Sequence, residues 1–405
     1  MKIDIIKQIQ KLYDENRLIS RVNEFCSINT VNPPGNEYLM NDVMVKAMEE
    51  IGCCDIDLYE KEKGRSNLVG RIKGNTSGRI AAIVGHSDVV AVSGQKWQYD
   101  PFKPTAKHGK IYARGAVDNK GPFAAVLEGV RIFNAFTKGN FPGEIMIISA
   151  ADEEAGSKLG VKYLFEEIGL VCDYALIPDG GDFKHAIYGE MGILQLEFEA
   201  LGKAYHGSMP ELGVNAIAPI AEMYLALYQK NWADLEGDGE FENAVLNLGL
   251  ITGGTAANIV PETAKFNAMW RYPLSKELDD KTIAAKILEI VKVLVRQTEQ
   301  RYPGVKLAYR VILQSNPYIG NKNGKLFTCA LQSATDLGLA VPTLKTIRAE
   351  TVGKYINQAC RAEVLVNGPM DGSVGIMHQP DEYVDIACLG DFAKYYALLL
   401  YNLYF

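Results

Sequence analysis

The residues that could do chemistry are acids and histidines that close short apolar runs. Gly85-His86-Ser87-Asp88 follows Arg79-Ile80-Ala81-Ala82-Ile83-Val84, a run that predicts a buried strand ending in glycine. Side chains alternate along a strand, so His86 and Asp88 point the same way. An imidazole can bind a metal through one nitrogen while a nearby carboxylate holds its other N–H and fixes the tautomer. Asp118 lies in the loop after a short strand at Lys110–Ala113. Glu153-Glu154 follows the apolar stretch Glu144–Ala150, Asp179 follows Tyr174–Ile177, and His378 lies in the loop from Asn367 to Glu382. His86, Asp118, Glu154, Asp179 and His378 are therefore candidates to face one cleft. Neutral imidazole with carboxylate suits zinc, with cobalt or manganese as substitutes. Five such groups exceed the three protein ligands of a tetrahedral catalytic ion. Two ions sharing one carboxylate fit better, and in two-metal hydrolases the ions lie about 3.5–4 Å apart and share a hydroxide. The set contains no thiol, which argues against a closed structural zinc site.

Glu153-Glu154 is the most informative pair. Two adjacent acids after an apolar strand would repel each other and suffer desolvation if both were merely buried. A metal partner for Glu154 and a water partner for Glu153, acting as general base, removes the conflict. The plain alternative is a solvated helix start, where acids favour the positive end of the dipole.

Such a cleft needs strand ends to carry it. Helices are predicted over Ile3–Asn16, Tyr38–Ile51, Pro122–Phe136 and Lys158–Ile168, and strands over Ile56–Tyr59, Asn67–Ile72, Arg79–Gly85, Lys110–Ala113, Glu144–Ala150 and Tyr174–Ile177. This alternation predicts an α/β sheet with helices on both faces, where ligands gather at the carboxyl ends of strands. The pattern changes after about Glu190. A strand at Ile193–Gly202, a helix at Asn215–Lys230, strands at Val245–Ile251 and Thr263–Arg271, a helix at Glu277–Gln300 and a strand at Val305–Ile312 form the split βαβ order of a ferredoxin-like α+β sandwich. That makes residues 191–314 an inserted domain within a discontinuous catalytic domain of residues 1–190 and 315–405. The latter ends with a helix at Lys325–Leu337, a strand at Ala362–Val366 and a helix at Leu389–Tyr401.

Composition narrows the class. The 405 residues are 48% hydrophobic and 22% charged, with net charge −7, as in an ordinary globular protein. No basic block suggests nucleic acid, and no apolar run reaches membrane-spanning length. The start, Met1-Lys2-Ile3-Asp4, leads into a charged amphipathic helix and does not read as a signal peptide. The seven cysteines include the adjacent Cys53-Cys54 and no C-x-x-C spacing, which points to thiols, most of them buried, in a reducing, cytoplasmic compartment. Gly249-Leu250-Ile251-Thr252-Gly253-Gly254 lacks the dinucleotide-binding spacing, so an oxidoreductase is disfavoured.

The motifs taken together resemble the co-catalytic zinc peptidases and deacylases that include acetylornithine deacetylase, succinyl-diaminopimelate desuccinylase, carboxypeptidase G and PepV-type dipeptidases. The matching stretches are Gly85 to Val90, Trp97 to Pro104, Gly109 to Gly121, Ala151 to Gly156, Asp173 to Asp179, His206-Gly207-Ser208-Met209-Pro210 through Ala216, Gly253-Gly254 through Asn258-Ile259-Val260-Pro261, and Gly368-Pro369 through His378 to Val384. The resemblance implies that His86 and Asp179 bind one Zn2+, that Glu154 and His378 bind a second, and that Asp118 bridges them through a loop with a cis Asp118-Asn119 peptide. It implies that Asp88 orients His86, that Glu153 activates the bridging water, that His206 stabilises the oxyanion, and that Asn258 and Arg271 meet substrate. It also implies a homodimer formed through the inserted lid domain. The expected substrate is a small carboxylate-bearing amide, an N-acyl-amino acid or a di- or tripeptide. A catalytically silent member that binds metal or peptide is the alternative. His108, His185, Lys120 and Arg114 read as structural or surface residues. Thr346-Ile347-Arg348-Ala349-Glu350-Thr351 departs from the Thr/Ser-x-Asp-Ala loop of many relatives, which puts the substrate, rather than the metal site, in question.

Overall fold

The computed structural model describes residues 2–237, 239–274, 282–370 and 374–405. Its strands, in chain order, are β1 (Asp55–Glu60), β2 (Ser66–Lys73), β3 (Thr76–His86), β4 (Thr105–Lys107), β5 (Lys110–Tyr112), β6 (Pro142–Ala150), β7 (Tyr174–Ile177), β8 (His185–Glu190), β9 (Gly192–Leu201), β10 (Tyr205–His206), β11 (Val245–Gly253), β12 (Ile259–Val260), β13 (Thr263–Tyr272), β14 (Lys306–Ser315), β15 (Tyr318–Ile319), β16 (Thr343–Ile347), β17 (Glu363–Val366) and β18 (Tyr383–Asp385). The helices are α1 (Lys2–Leu12), α2 (Glu15–Cys26), α3 (Asn41–Ile51), α4 (Lys120–Thr137), α5 (Ile217–Gln229), α6 (Thr282–Arg301), α7 (Lys325–Asp336), α8 (Gly353–Cys360) and α9 (Ile386–Tyr404). The chain divides into two compact units. One comprises Met1–Tyr188, Gly320–Lys345 and Thr351–Phe405, the other Gly189–Ile319 and Thr346–Glu350.

The first unit is built on a mixed sheet in the order β1-β2-β6-β3-β7-β17-β8. β3 lies between β6 and β7 and runs parallel to both, and β17 runs parallel to β7. Parallel strands are covered on both faces and so read as continuous apolar runs. Accordingly, the last six residues of β3 and of β6 are all buried. Two helical groups pack on the sheet. In one, α3, α4, α9 and α7 contact one another in succession; in the other, α8 packs with the turn Tyr163–Glu167. A Cβ on Gly85 would sit 2.4 Å from the Phe123 ring. The strand end that delivers His86 thus lies directly against the start of α4. A small separate sheet, β4-β5-β18, carries the loops around Asp118 and His378.

The second unit is an antiparallel sheet in the order β11-β13-β9-β14, with α5 and α6 packed on it. Leu194, Leu196, Phe198 and Ala200 of β9 enter its core with Trp270, Met223 and Ile287. The alternate residues Glu197 and Glu199 pair with Arg310 and Lys265. This is the expected ferredoxin-like arrangement.

Among the helices, three regions differ from expectation. The helix predicted over Ile3–Asn16 is two helices, because the Asp14 carboxylate accepts the Arg17 N–H at 3.1 Å and starts α2. The helix predicted over Lys158–Ile168 contracts to a π turn at Tyr163–Glu167. There Asp152 accepts the Leu159 N–H, and Gly160 approaches the Ala151 backbone too closely for any Cβ. Helix α8 was not anticipated. The predicted start of the Glu277–Gln300 helix lies outside the described residues. No described helix is long and apolar enough to cross a membrane.

Candidate metal centre

The five candidate ligands converge in the first unit. His86 ends β3, Glu154 follows β6, Asp179 follows β7, and Asp118 and His378 come from the loops beside β5 and β18. His86 Nε2 lies 3.1 Å from Asp118 Oδ1 and 3.6 Å from Asp179 Oδ2. His378 Nε2 lies 2.9 Å from Asp118 Oδ2 and 3.3 Å from Glu154 Oε2. Asp118 therefore offers one oxygen to each histidine. Ligand atoms of His86, Asp118 and Glu154 fall within 4.8 Å of one another, as do those of His86, Glu153 and Asp179. The Asp118-Asn119 peptide is cis.

The charges are frustrated without a cation. Burial pushes Glu153 well above the ordinary carboxylate range and raises Glu154 to about 7. Asp179 is raised by burial and by the Asp118 charge. Burial alone would lower the His86 pKa, but its hydrogen bonds to Asp118, Asp179 and Asp88 outweigh it and hold the ring well above its usual value. His378, bonded to Asp118 and Glu154, is pushed up to about 10. In the metal-free site these acids favour the protonated imidazoles, and a divalent cation would take over that positive charge. The donor set of imidazole nitrogens and carboxylate oxygens fits a zinc-like ion. Glu154 Oε1 is buried without a hydrogen-bond partner, as expected of an atom awaiting a ligand.

Asp88 supports more than the His86 ring. Its backbone carbonyl, at 3.0 Å, is closer to His86 Nδ1 than its carboxylate, at 3.5 Å. The carboxylate also accepts the backbone N–H groups of Glu153 and Glu154, each at 3.1 Å, and the Asn32 amide at 2.9 Å. Asn32 also reaches Asp152, which pairs with Arg65, itself held by Glu37. Asn119 Oδ1 accepts the His86 backbone N–H. None of these supports was anticipated. The sequence signal was a set of polar residues beside apolar runs, which looks the same whether buried or exposed. His108 occupies an exposed turn with φ 51°, and His185 pairs with Asp182. Neither is among the converging residues.

His206, Asn258 and Arg271 belong to the second unit. His206 pairs with Ile259 between β10 and β12, and Gly207 N–H donates to Asn258 O at 2.7 Å. The Ser208 N–H donates to His206 Nδ1. Ser208 Oγ also lies 2.7 Å from Nδ1, and a neutral ring that accepts at Nδ1 carries its proton on Nε2. Arg271 on β13 is half-buried; burial lowers its pKa against the charges of Glu350 and Glu190. Its Nη1 has no hydrogen-bond partner.

The family model described as "Peptidase family M20/M25/M40" matches residues 82–402. The chain is 27% identical over 372 residues to an acetylornithine deacetylase of Vibrio atlanticus, covering 88% of this chain and 90% of that protein. It is 28% identical over 385 residues to a succinyl-diaminopimelate desuccinylase of Psychrobacter arcticus, covering 91% and 90%. In fold it resembles the crystal structure of a tripeptidase from Staphylococcus aureus, with a TM-score of 0.76 at 22% identity over 97% of this chain and 99% of that one. The family match spans the whole run from β3 to α9 that brings the ligands together. The chain belongs to peptidase family M20/M25/M40 and is a metal-dependent hydrolase of its peptidase and deacylase class.

Proposed function

We propose that the protein hydrolyses an amide or peptide bond in a small carboxylate-bearing substrate, an N-acyl-amino acid or a di- or tripeptide, using two Zn2+ ions that Co2+ or Mn2+ can replace. The observation that carries this reading is the Asp118 carboxylate set between two histidines, each beside a further acid. His86 and Asp179 would hold one ion, His378 and Glu154 the other, with Asp118 shared. When bound, the ions polarise the scissile carbonyl and make a water acidic enough to attack near neutral pH.

The remaining chemistry falls to the chain's own side chains. The Glu153 carboxylate takes a proton from the attacking water and gives it to the leaving nitrogen, and burial raises its pKa. His206 Nε2–H suits the developing oxyanion. The unpartnered Arg271 Nη1 suits the substrate carboxylate, and Asn258, beside His206, suits a further substrate contact. In this reading the second unit serves as lid and dimerisation domain. Support for pairing comes from β11, a sheet-edge strand with Leu250 and Ile251 exposed. The cysteines are thiols rather than disulfides, which supports a cytoplasmic setting. The deacetylase, desuccinylase and tripeptidase relatives define the panel to try.

The test is metal analysis of protein purified without chelator, followed by hydrolysis assays on acyl-amino acids, dipeptides and tripeptides with added zinc, cobalt or manganese. About two ions per chain and turnover of one substrate class are expected. Less than one ion per chain, or no turnover of any class, would refute the proposal.

A further inference from the structure

Asp118 and His378 lie 260 positions apart in sequence, yet their side chains meet at 2.9 Å. A buried ion pair joins the two loops that carry them. Arg114 and Glu382 are 1% and 0% exposed and meet at 2.5 Å. We propose that Arg114 and Glu382 are positioning residues: together they clamp the Asp118 and His378 loops and so set the affinity of the ion on the His378 side. The proposal rests on the two-ion reading above.

The clamp's bonds end on the backbones of the ligand residues. Glu382 Oε1 accepts the N–H groups of Val117 at 3.0 Å and Asp118 at 3.2 Å, while Oε2 takes Arg114. From the same guanidinium, Nη2 donates to His378 O at 3.3 Å and Nη1 reaches Gln379 O at 3.4 Å. Gln95 closes the circuit: its Nε2 donates to His378 O at 2.8 Å and its Oε1 accepts from Arg114 at 2.9 Å. His378 itself has φ 64°, a conformation that side-chain-bearing residues rarely adopt unaided, so a backbone held from two sides has a clear use there. The pairing of Tyr112 with Tyr383 between β5 and β18 brings Arg114 and Glu382 within reach. His86 and Asp179 are set instead by the main-sheet strands β3 and β7. The clamp touches the other side only through the shared Asp118, so it acts chiefly on the His378 side.

Arginine is required for its planar fork, which serves the carboxylate and a carbonyl at once; a lysine offers only a point charge. Removing one member alone would strand a buried charge. The informative variant changes both, Arg114→Met with Glu382→Gln, which keeps volume and an acceptor for the Val117 and Asp118 amides. Gln95→Leu is the milder probe, at a partly exposed position.

Stepwise Co2+ titration of chelator-stripped protein, followed by calorimetry and cobalt absorption, tests the clamp, with His378→Ala marking the step that depends on that ligand. In the paired variant this step weakens about 10–100-fold, the usual cost of losing the support behind a ligand, while the other step, which shares only Asp118 with the clamp, weakens less. Gln95→Leu shifts the same step in the same direction by less. Excess Co2+ restores kcat in both, with KM little changed. Two steps in the wild type but no selective loss in either the paired variant or Gln95→Leu overturns the clamp. If the paired variant does not fold, Gln95→Leu decides alone. A wild-type chain that takes up a single ion overturns the two-ion reading instead.

Discussion

Asp88 holds the backbone N–H groups of both Glu153 and Glu154, so these neighbouring acids stand on one support with their side chains free for different tasks. Glu154 approaches His378. Glu153 groups with His86 and Asp179, and burial raises its pKa. As the proton carrier, Glu153 should be dispensable for metal and essential for turnover. Glu153→Gln is expected to retain its full metal content by elemental analysis while kcat falls by about 10²–10⁴-fold, the usual contribution of general acid–base catalysis. Activity within a few-fold of wild type would remove Glu153 from that role. The ligating types were legible in the sequence because an acid or histidine closing an apolar run is conspicuous. The supports were not. Asn32, Arg65 and Glu382 are ordinary polar residues in loops, and only the folded backbone shows that they brace the residues around the ligands.

At the scale of elements, the strands that deliver the ligands were the most readable. β3, β6 and β7 are parallel and buried, and their apolar runs end where the chemistry begins. The helices were less readable where a local side-chain bond competes with helical pairing. Asp14 starts a new helix, and Asp152 draws the Leu159 amide out of one. Helix α8 is only eight residues long, too short for periodicity to stand out. β11 raises a question the sequence alone could not pose. It is an edge strand with Leu250 56% and Ile251 51% exposed, an arrangement that chains normally cover or charge. If this edge pairs with a second copy, Leu250→Lys should convert a dimer to a monomer in light scattering while leaving the metal content unchanged. An unaltered dimer would move the interface elsewhere; a monomeric wild type would end the dimer proposal.

For the whole molecule, the metal centre is a reservoir of protons as well as a site for ions, so stability, pH and metal are linked. In the metal-free protein, hydrogen bonds to Asp118 and Glu154 raise His378 to about 10, against about 6.5 for an unfolded histidine. That stabilisation is fully present below the unfolded value and is lost as the pH rises toward 10. Burial and the Asp118 charge raise Glu154 from 4.5 to about 7. The folded chain therefore holds more protons than the unfolded one between those values, and stability again falls as the pH rises through them. Asp118 is shifted the other way: burial would raise its pKa, but bonds from His378 and His86 hold it below the usual range, so its effect is confined to strong acid. From pH 6 to pH 9 the two raised groups act in the same direction. Metal-free protein should lose thermal stability across that interval, whereas bound ions replace the lost protons. The rise in Tm on adding zinc should accordingly be larger at pH 8.5 than at pH 6, and calorimetry in buffers of different ionisation enthalpy should record protons leaving as metal binds. An equal Tm rise at both pH values with no proton release would mean that the histidines are already neutral before the metal arrives, and that hydrogen bonds alone hold the two loops in register.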